Sequence, residues 1–358
     1  MTHIRESAKY VKLFEQIKSE ILTGEYRSGE KIPGENELAQ KYGMSRQTVR
    51  QSLSLLEQEG LIERRQGSGT YVAEKMHMGK KSWNVGVIAT YISEYIFPSI
   101  LRGIESELSE HGFAPVLGAT QNRVDNERRI LEEFMQRPID GLIVEGTKSA
   151  LPNPNIPFYQ EIEKRGIPVV FFNGYYPVMQ SCTYVVMNDK RGGYDAAEYL
   201  IQNGHTKIGG IFKSDDMQGL ERYAGYMQCL VEKELPLNDE WIIWFNSENR
   251  SYILTDEAER IVNSLKDCTA VVCYNDEMAI KLVNALRRGG YQVPQDKELI
   301  SFDRSLLSEI SAIQIPSLSH PKEMLGAVAA RKLIGKMHGK KEESARLEWV
   351  FSQKDKRR

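Results

Sequence analysis

Between Leu38 and Leu56 the chain carries no acidic residue, and the polar side chains it does carry there suit nucleic-acid bases. Arg46, Gln47, Thr48 and Arg50 are the candidates. Arginine forks to guanine O6 and N7, glutamine to adenine N6 and N7, and a hydroxyl takes a phosphate or a base edge. Such groups need a rigid element to present them together, and the apolar spacing supplies one. Val49, Leu53 and Leu56 recur at i, i+4 and i+7 and predict a helix with one buried stripe. Gln47, Arg50, Gln51 and Ser54 then face away from the stripe, with Arg46 and Thr48 on its flanks. Ser45 is placed to cap this helix by accepting the backbone N–H near Thr48. Before it, Glu35 to Tyr42 reads as a shorter helical run with Leu38 and Ala39 inward, and Gly43-Met44-Ser45 as the corner between the two helices.

Other elements brace this pair. Tyr10, Phe14, Ile17, Ile21 and Leu22 line one face of a preceding helix that Gly24 ends. Leu61 to Arg65 and Thr70 to Ala73 read as two strands, with Gln66-Gly67-Ser68-Gly69 as a turn whose glycines permit positive φ. That small polar tip, flanked by Arg64 and Arg65, suits a minor groove or a phosphate chain. A polar helix face alone is ordinarily a solvated face, and a Gly-Ser-Gly tip ordinarily a turn. Their conjunction within about forty positions predicts a winged helix-turn-helix reading double-stranded DNA.

A second set of candidates lies downstream. From Trp83 the texture alternates between apolar strands and amphipathic helices: Val85 to Ala89, Ala114 to Leu117, Gly141 to Val144, Val169 to Phe172 and Tyr184 to Val186 form one set of strands. Lys207 to Phe212, Ile242 to Phe245, Ala270 to Tyr274 and Leu299 to Phe302 form another. Apolar strands without alternation belong to parallel sheets covered on both faces, so two α/β lobes with a cleft are expected. Ligands of such sheets sit beyond the carboxyl ends of the strands. The residues there include Tyr91, Glu94-Tyr95, Thr120-Gln121, Glu145, Asn173, Asn188-Asp189, Asn275-Asp276 and Asp303-Arg304. Amides, carboxylates and tyrosine faces suit a polyhydroxylated ligand. No glycine-rich phosphate loop appears.

Two resemblances follow from these motifs. Residues Tyr10 to Val72 resemble the DNA-binding head of the GntR family of bacterial transcription regulators. The resemblance is carried by Glu37-Leu38-Ala39, Ser45-Arg46-Gln47-Thr48-Val49-Arg50, Glu59-Gly60-Leu61 and Gly67-Ser68-Gly69-Thr70-Tyr71-Val72. It implies DNA contacts at Glu35, Ser45, Arg46, Gln47, Thr48 and Arg50, and at wing residues Gln66, Gly67, Ser68 and Gly69. Gly34 departs from the family's Ser or Thr cap, which removes a hydroxyl that would otherwise meet a phosphate. From about Asn84 to Phe351 the chain resembles the effector-binding body of LacI/GalR regulators and periplasmic sugar-binding proteins. Here the carriers are Phe97 to Ile104, Ile139-Asp140-Gly141-Leu142-Ile143, Gly204-His205-Thr206-Lys207-Ile208-Gly209, Glu221-Arg222-Tyr223-Ala224-Gly225-Tyr226, Cys273-Tyr274-Asn275-Asp276-Glu277-Met278-Ala279 and Ser301-Phe302-Asp303. By that similarity Arg222 forks to two ligand hydroxyls, Asn275 and Asp303 accept or donate from the facing lobe, and Gln121 and Glu145 close the opposite side, with Tyr91 a further effector-binding candidate. Asp189 and Asp276 fit a helix cap as well as a ligand contact, and Arg222 also fits a buried structural ion pair. The pairing of this head with this body is similar to the arabinose-operon type of Gram-positive regulator, which implies a free monosaccharide effector, L-arabinose.

The expected organisation is an α+β winged helix-turn-helix over residues 1–73, a linker over 74–83, a two-lobed periplasmic-binding-protein-like α/β body over 84–352, and a tail over 353–358. With 358 residues and a net charge of −2, the chain has room for several cores and no broad basic coat. Up to Val72 there are 11 Lys+Arg against 10 Asp+Glu, so any cationic footprint is local and DNA affinity salt-sensitive. The four cysteines show no metal spacing, and no cofactor or metal is called for. Met-Thr-His-Ile-Arg-Glu has no apolar signal core and no apolar run spans a membrane, so a cytoplasmic protein without a membrane partner is expected. Repression by a homodimer, relieved by sugar, is the expected mode. Activation, or a sugar-phosphate effector, is the alternative. An enzyme on the carboxylates Asp215-Asp216, Asp276-Glu277 and Asp303 is opposed by the lack of a nucleophile or metal constellation.

Overall fold

The computed structural model describes residues 9–22, 25–27, 29–65, 68–73, 82–310 and 313–351. Gln66, Gly67, most of the expected linker and the tail lie outside them.

Three helices and a hairpin form the head: α1 (Lys9–Leu22), α2 (Glu35–Tyr42), α3 (Arg46–Gln58), β1 (Ile62–Arg65) and β2 (Gly69–Val72). Gly43 takes the left-handed conformation that ends α2 (φ 62°), which a side chain would resist. Ser45 Oγ accepts the Thr48 N–H at 3.2 Å, as the sequence predicts. Gly34 has no hydroxyl to offer α2, and Glu37 compensates by accepting the Gly34 N–H at 2.8 Å. Leu38, Val49, Leu53 and Leu56 meet Phe14, Ile17 and Ile21 of α1 in one core, closed below by Ile62 and Val72. Ser52 is buried in α3 and donates to Tyr10 O at 2.7 Å, fastening α1 across it. Leu53 is 1% exposed. Leu53→Ala is expected to remove about 2–5 kcal/mol, comparable with the whole stability of so small a unit. In calorimetry the head's transition should fall or disappear while the body's transition stays in place.

The body is built from β3 (Asn84–Ala89), α4 (Phe97–Glu110), β4 (Ala114–Ala119), α5 (Val124–Gln136), β5 (Gly141–Glu145), α6 (Ile156–Lys164), β6 (Val169–Phe172), β7 (Thr183–Met187), α7 (Asp189–Gln202), β8 (Ile208–Lys213), α8 (Met217–Glu232), β9 (Ile242–Phe245), α9 (Ile253–Asp256), α10 (Ala258–Ser264), β10 (Ala270–Cys273), α11 (Asp276–Arg288), β11 (Glu298–Phe302), α12 (Leu306–Ile310), β12 (Ser317–Leu318), α13 (Lys322–Met337) and β13 (Ala345–Leu347). Two parallel sheets result, in the orders β13-β7-β6-β5-β3-β4 and β12-β11-β10-β8-β9. The run Leu254 to Leu265 breaks at Glu257 into two helices, α9 and α10.

The threading differs from two lobes laid down one after the other. The chain leaves the first sheet after β7, builds the second, returns after β12 to place α13 and β13 on the first, and crosses once more beyond β13. Three crossings therefore join the lobes, near Asn188, Ser319 to Pro321 and Glu348. Helices α4 and α13 pack so closely in the first lobe that a Cβ on Gly103 would lie 1.9 Å from Glu323 O. Helices α7 and α8 do the same in the second, where a Cβ on Gly193 would lie 2.0 Å from Arg222 O. That second contact fixes the backbone from which Arg222 projects. No helix among the described residues is long and apolar enough to cross a membrane.

Candidate functional site

In the head, α3 presents Arg46, Gln47 and Arg50 exposed, with Thr48 half-buried beside its cap. Arg50 does not stand free. Its Nη2 and Nε reach Glu35 at 3.0 and 3.2 Å, so the first turn of α2 aims the guanidinium along the exposed face. Arg50 beside it holds the Glu35 carboxyl below its ordinary range. Arg46 is held in the same way by Asn36. In the wing, Gly69 has φ 126°, and Ser68 Oγ bonds Tyr71 OH at 2.6 Å while Arg65 lies over the Tyr71 ring. Gln66 and Gly67 lie outside the described residues.

In the body, the loops beyond the strand ends converge from both lobes on one cleft. Its wall includes Thr90, Tyr91, Tyr95, Asn122, Glu145 and Asn173 from the first lobe. Lys213, Asp216, Arg222, Arg250, Tyr274, Asn275 and Asp303 face them from the second. Among the described residues, seven of the nine non-glycine residues with positive φ sit in these loops: Tyr95, Gln121, Asn122, Lys148, Asn173, Asp303 and Arg304. Such conformations cost about 1–3 kcal/mol each and gather where a site over-determines its backbone.

Arg222 is the centre of the second-lobe wall. It is 2% exposed, donates from Nε to Asp189 at 2.8 Å and from Nη1 to Tyr274 O, and lies 3.9 Å from Asp303. The rings of Tyr274, Phe302 and Trp349 surround the guanidinium at 4.4–4.9 Å. It is thus both a wall residue and a buried ion-pair member. Opposite, Glu145 accepts Thr90 N–H at 2.7 Å and Asn173 Nδ2 at 3.0 Å, and burial pushes its carboxyl up. Tyr95 spans the cleft, donating to Asp303 at 2.7 Å.

Three expected residues stand elsewhere. Gln121 is exposed and does not line the cleft; two successive left-handed residues turn the chain so that Asn122 points inward instead. Asp276 lies behind the wall and caps nothing, because Asn275 caps α11; it accepts from Ser301, Ser305 and Ser317 at 2.5–2.8 Å and braces the Asp303 loop. Asp189 also sits behind the wall, gripping Arg222, while Asn188 caps α7. Residues that sequence reasoning left out of the site include Thr90, Asn122, Lys213, Asp216, Arg250 and Tyr274. Lys213 lies between Asp215 and Asp216 at 3.2 and 2.9 Å, and Asp216 caps α8 by accepting Gly219 N–H. Nothing in their spacing marks them apart from their place after a strand.

Comparison with known proteins fits both halves. Residues 9–72 match the bacterial regulatory proteins of the gntR family, and residues 197–351 match the periplasmic binding protein-like domain. An arabinose metabolism transcriptional repressor from Halalkalibacterium halodurans is 41% identical over 91% of this chain and 88% of its own length. The chain belongs to that repressor family. A second arabinose metabolism transcriptional repressor, from Geobacillus stearothermophilus, is 38% identical over 91% of this chain and 90% of its own. The crystal structure of a putative ribose operon repressor from Burkholderia thailandensis superposes with a TM-score of 0.67 at 27% identity, over 76% of this chain and 99% of that one. This repressor is accordingly a DNA-binding transcription regulator with a LacI-like sugar-binding body, and not an enzyme.

Proposed function

We propose that this repressor binds operator DNA as a homodimer and is released by a free monosaccharide, L-arabinose, held between its lobes. Glu35, Ser45, Arg46, Gln47, Thr48 and Arg50 form the reading surface, with Ser68 and Gly69 and the neighbouring Gln66 and Gly67 at the wing. Two heads related by the dimer axis read a pseudo-palindrome with half-sites about one helical turn apart or a multiple of it. A protein that reads operators works in the cytoplasm.

The observation that carries the effector assignment is the charge balance of the cleft. Each cation on its wall is already paired: Lys213 with Asp215 and Asp216, Arg222 with Asp189, Arg250 with Glu94. Among the described residues of the wall no cation is left over for a phosphate, while Tyr91, Asn122, Glu145, Asn275 and Asp303 offer the hydrogen-bonding groups and apolar face that a neutral sugar uses. The names of the relatives support arabinose among sugars. A thermal-shift scan against pentoses, hexoses and their phosphates tests this, because a ligand of the folded state raises its midpoint. Selective stabilisation by L-arabinose over its epimers is expected. A response to sugar phosphates alone would overturn the assignment.

Affinity should also depend on pH. Burial pushes Asp189 up to about 6, against the pull of Arg222, and raises Glu145 as well. Raised acid pKa values mean that the folded chain takes up protons before the unfolded one. The contribution of Asp189 to stability is greatest below the unfolded value near 4 and is lost as pH rises through about 6. The Asp189 charge, which holds Arg222, is largely present at pH 7.5 and largely lost by pH 5. Calorimetric affinity for L-arabinose should fall severalfold as pH drops over that interval, and a flat profile would mean that the Asp189 charge does not support Arg222 in binding sugar.

A further inference from the structure

The three interlobe crossings are bound to one another. Ser319 and Val350 form an antiparallel bridge with both hydrogen bonds at 2.9 Å, tying the second crossing to the third. Asn188 donates its N–H to Leu347 O at 2.8 Å and its Nδ2 to Glu348 at 3.0 Å, tying the first to the third. Each crossing also delivers one side chain to the Arg222–Asp303 pair. From the first, Asp189 grips Arg222 Nε at 2.8 Å. From the second, His320 sets Nε2 3.7 Å from Asp303 Oδ1. From the third, Trp349 covers the Arg222 guanidinium at 4.9 Å and meets the His320 ring edge-on at 5.1 Å.

We propose that Asp189, His320 and Trp349 are positioning residues that transmit the state of the Arg222–Asp303 pair to the interlobe hinge, so that sugar on the pair resets lobe geometry. Trp349 is the central one, since it alone touches both Arg222 and another crossing. Trp349 Nε1 and His320 Nδ1 are buried with no hydrogen-bond partner, so packing rather than hydrogen bonding at these atoms holds the rings, and they follow Arg222 when it moves. His320 acts as a neutral ring, because burial and the nearby cations Lys322 and Arg222 push its pKa down to about 3. The inference rests on the reading of the cleft as a monosaccharide site.

The test uses full-length protein, L-arabinose, and a fluorescent duplex selected by the wild-type protein from a randomised pool. Trp349→Leu removes the aromatic face, and Trp349→Phe restores most of it. Sugar affinity is measured by calorimetry, and duplex affinity by anisotropy with and without saturating sugar. For Trp349→Leu we expect sugar affinity within about fivefold of wild type and unchanged duplex affinity without sugar. The loss of duplex affinity on adding sugar, roughly 10- to 100-fold in wild type at ordinary allosteric coupling, should shrink to twofold or less, and Trp349→Phe should recover most of it. A merely structural tryptophan would lower the melting temperature without moving that ratio. His320→Phe keeps ring volume, removes the nitrogen facing Asp303 and should shrink the ratio too, which covers the case that Trp349→Leu does not fold. Full release by sugar in the folded variants would overturn the inference while leaving the cleft assignment intact. No heat from sugar in the wild type would instead remove the cleft assignment and this inference with it.

Discussion

Arg50→Ala is expected to abolish specific operator binding while leaving sugar binding unchanged. A bidentate arginine–guanine pair discriminates by about 1–3 kcal/mol, and a dimer uses it twice, so specific affinity should drop by roughly two to four decades. Weak salt-sensitive binding to random DNA should persist, because Arg46, Arg64 and Arg65 remain. The geometry adds a companion result. Glu35 holds Arg50 in a two-point contact, so Glu35→Ala frees the guanidinium and removes a negative charge from the face. Affinity for random DNA should rise and the ratio of specific to random binding should fall. Anisotropy with matched and scrambled duplexes reads both variants, and unchanged operator affinity in Arg50→Ala would place the reading surface elsewhere.

Arg222→Ala is expected to give a repressor that holds DNA and ignores sugar. Under the proposed function the guanidinium donates to sugar hydroxyls, so calorimetric sugar affinity should fall at least 100-fold and sugar should no longer release the operator. The same substitution leaves Asp189 and Asp303 buried without their cation. Removing one member of such a buried pair costs about 3–5 kcal/mol, so the body's melting temperature should drop. Adding Asp189→Asn to Arg222→Ala removes one stranded charge, and stability should partly return while sugar binding does not. Recovery of both together would mean that Arg222 acts only on the fold.

Much of this was legible in the sequence, for identifiable reasons. The head announces itself because helix period, the Ser45 cap and the Gly43 corner are local signals, and the structure reproduces α2, α3 and the hairpin almost residue for residue. The lobes are legible because buried parallel strands such as Val169–Phe172 are unbroken apolar runs. Their threading is not. Strands β12 and β13 have two and three residues, too few for any periodicity, yet they determine where the chain crosses. Within the cleft, position after a strand correctly selects Tyr91, Glu145, Asn275 and Asp303 as wall residues. It cannot say which of two neighbours turns inward once the backbone goes left-handed, as at Gln121 and Asn122. Nor can it distinguish a side chain on the wall from one just behind it, which separates Arg222 from Asp189 and Asn275 from Asp276. Trp349 is buried like an ordinary core residue, but its partner is the guanidinium at the centre of the site, which no local pattern announces.

Under the proposed function, sugar in the cleft loosens the heads from DNA. The most direct test is a titration of wild-type protein against a selected operator duplex at fixed salt, with and without saturating L-arabinose. Loss of operator affinity by about one to two decades is the predicted result, with no change for a sugar that fails to stabilise the fold. Operator affinity unchanged by L-arabinose, at concentrations where calorimetry shows the cleft filled, would contradict it.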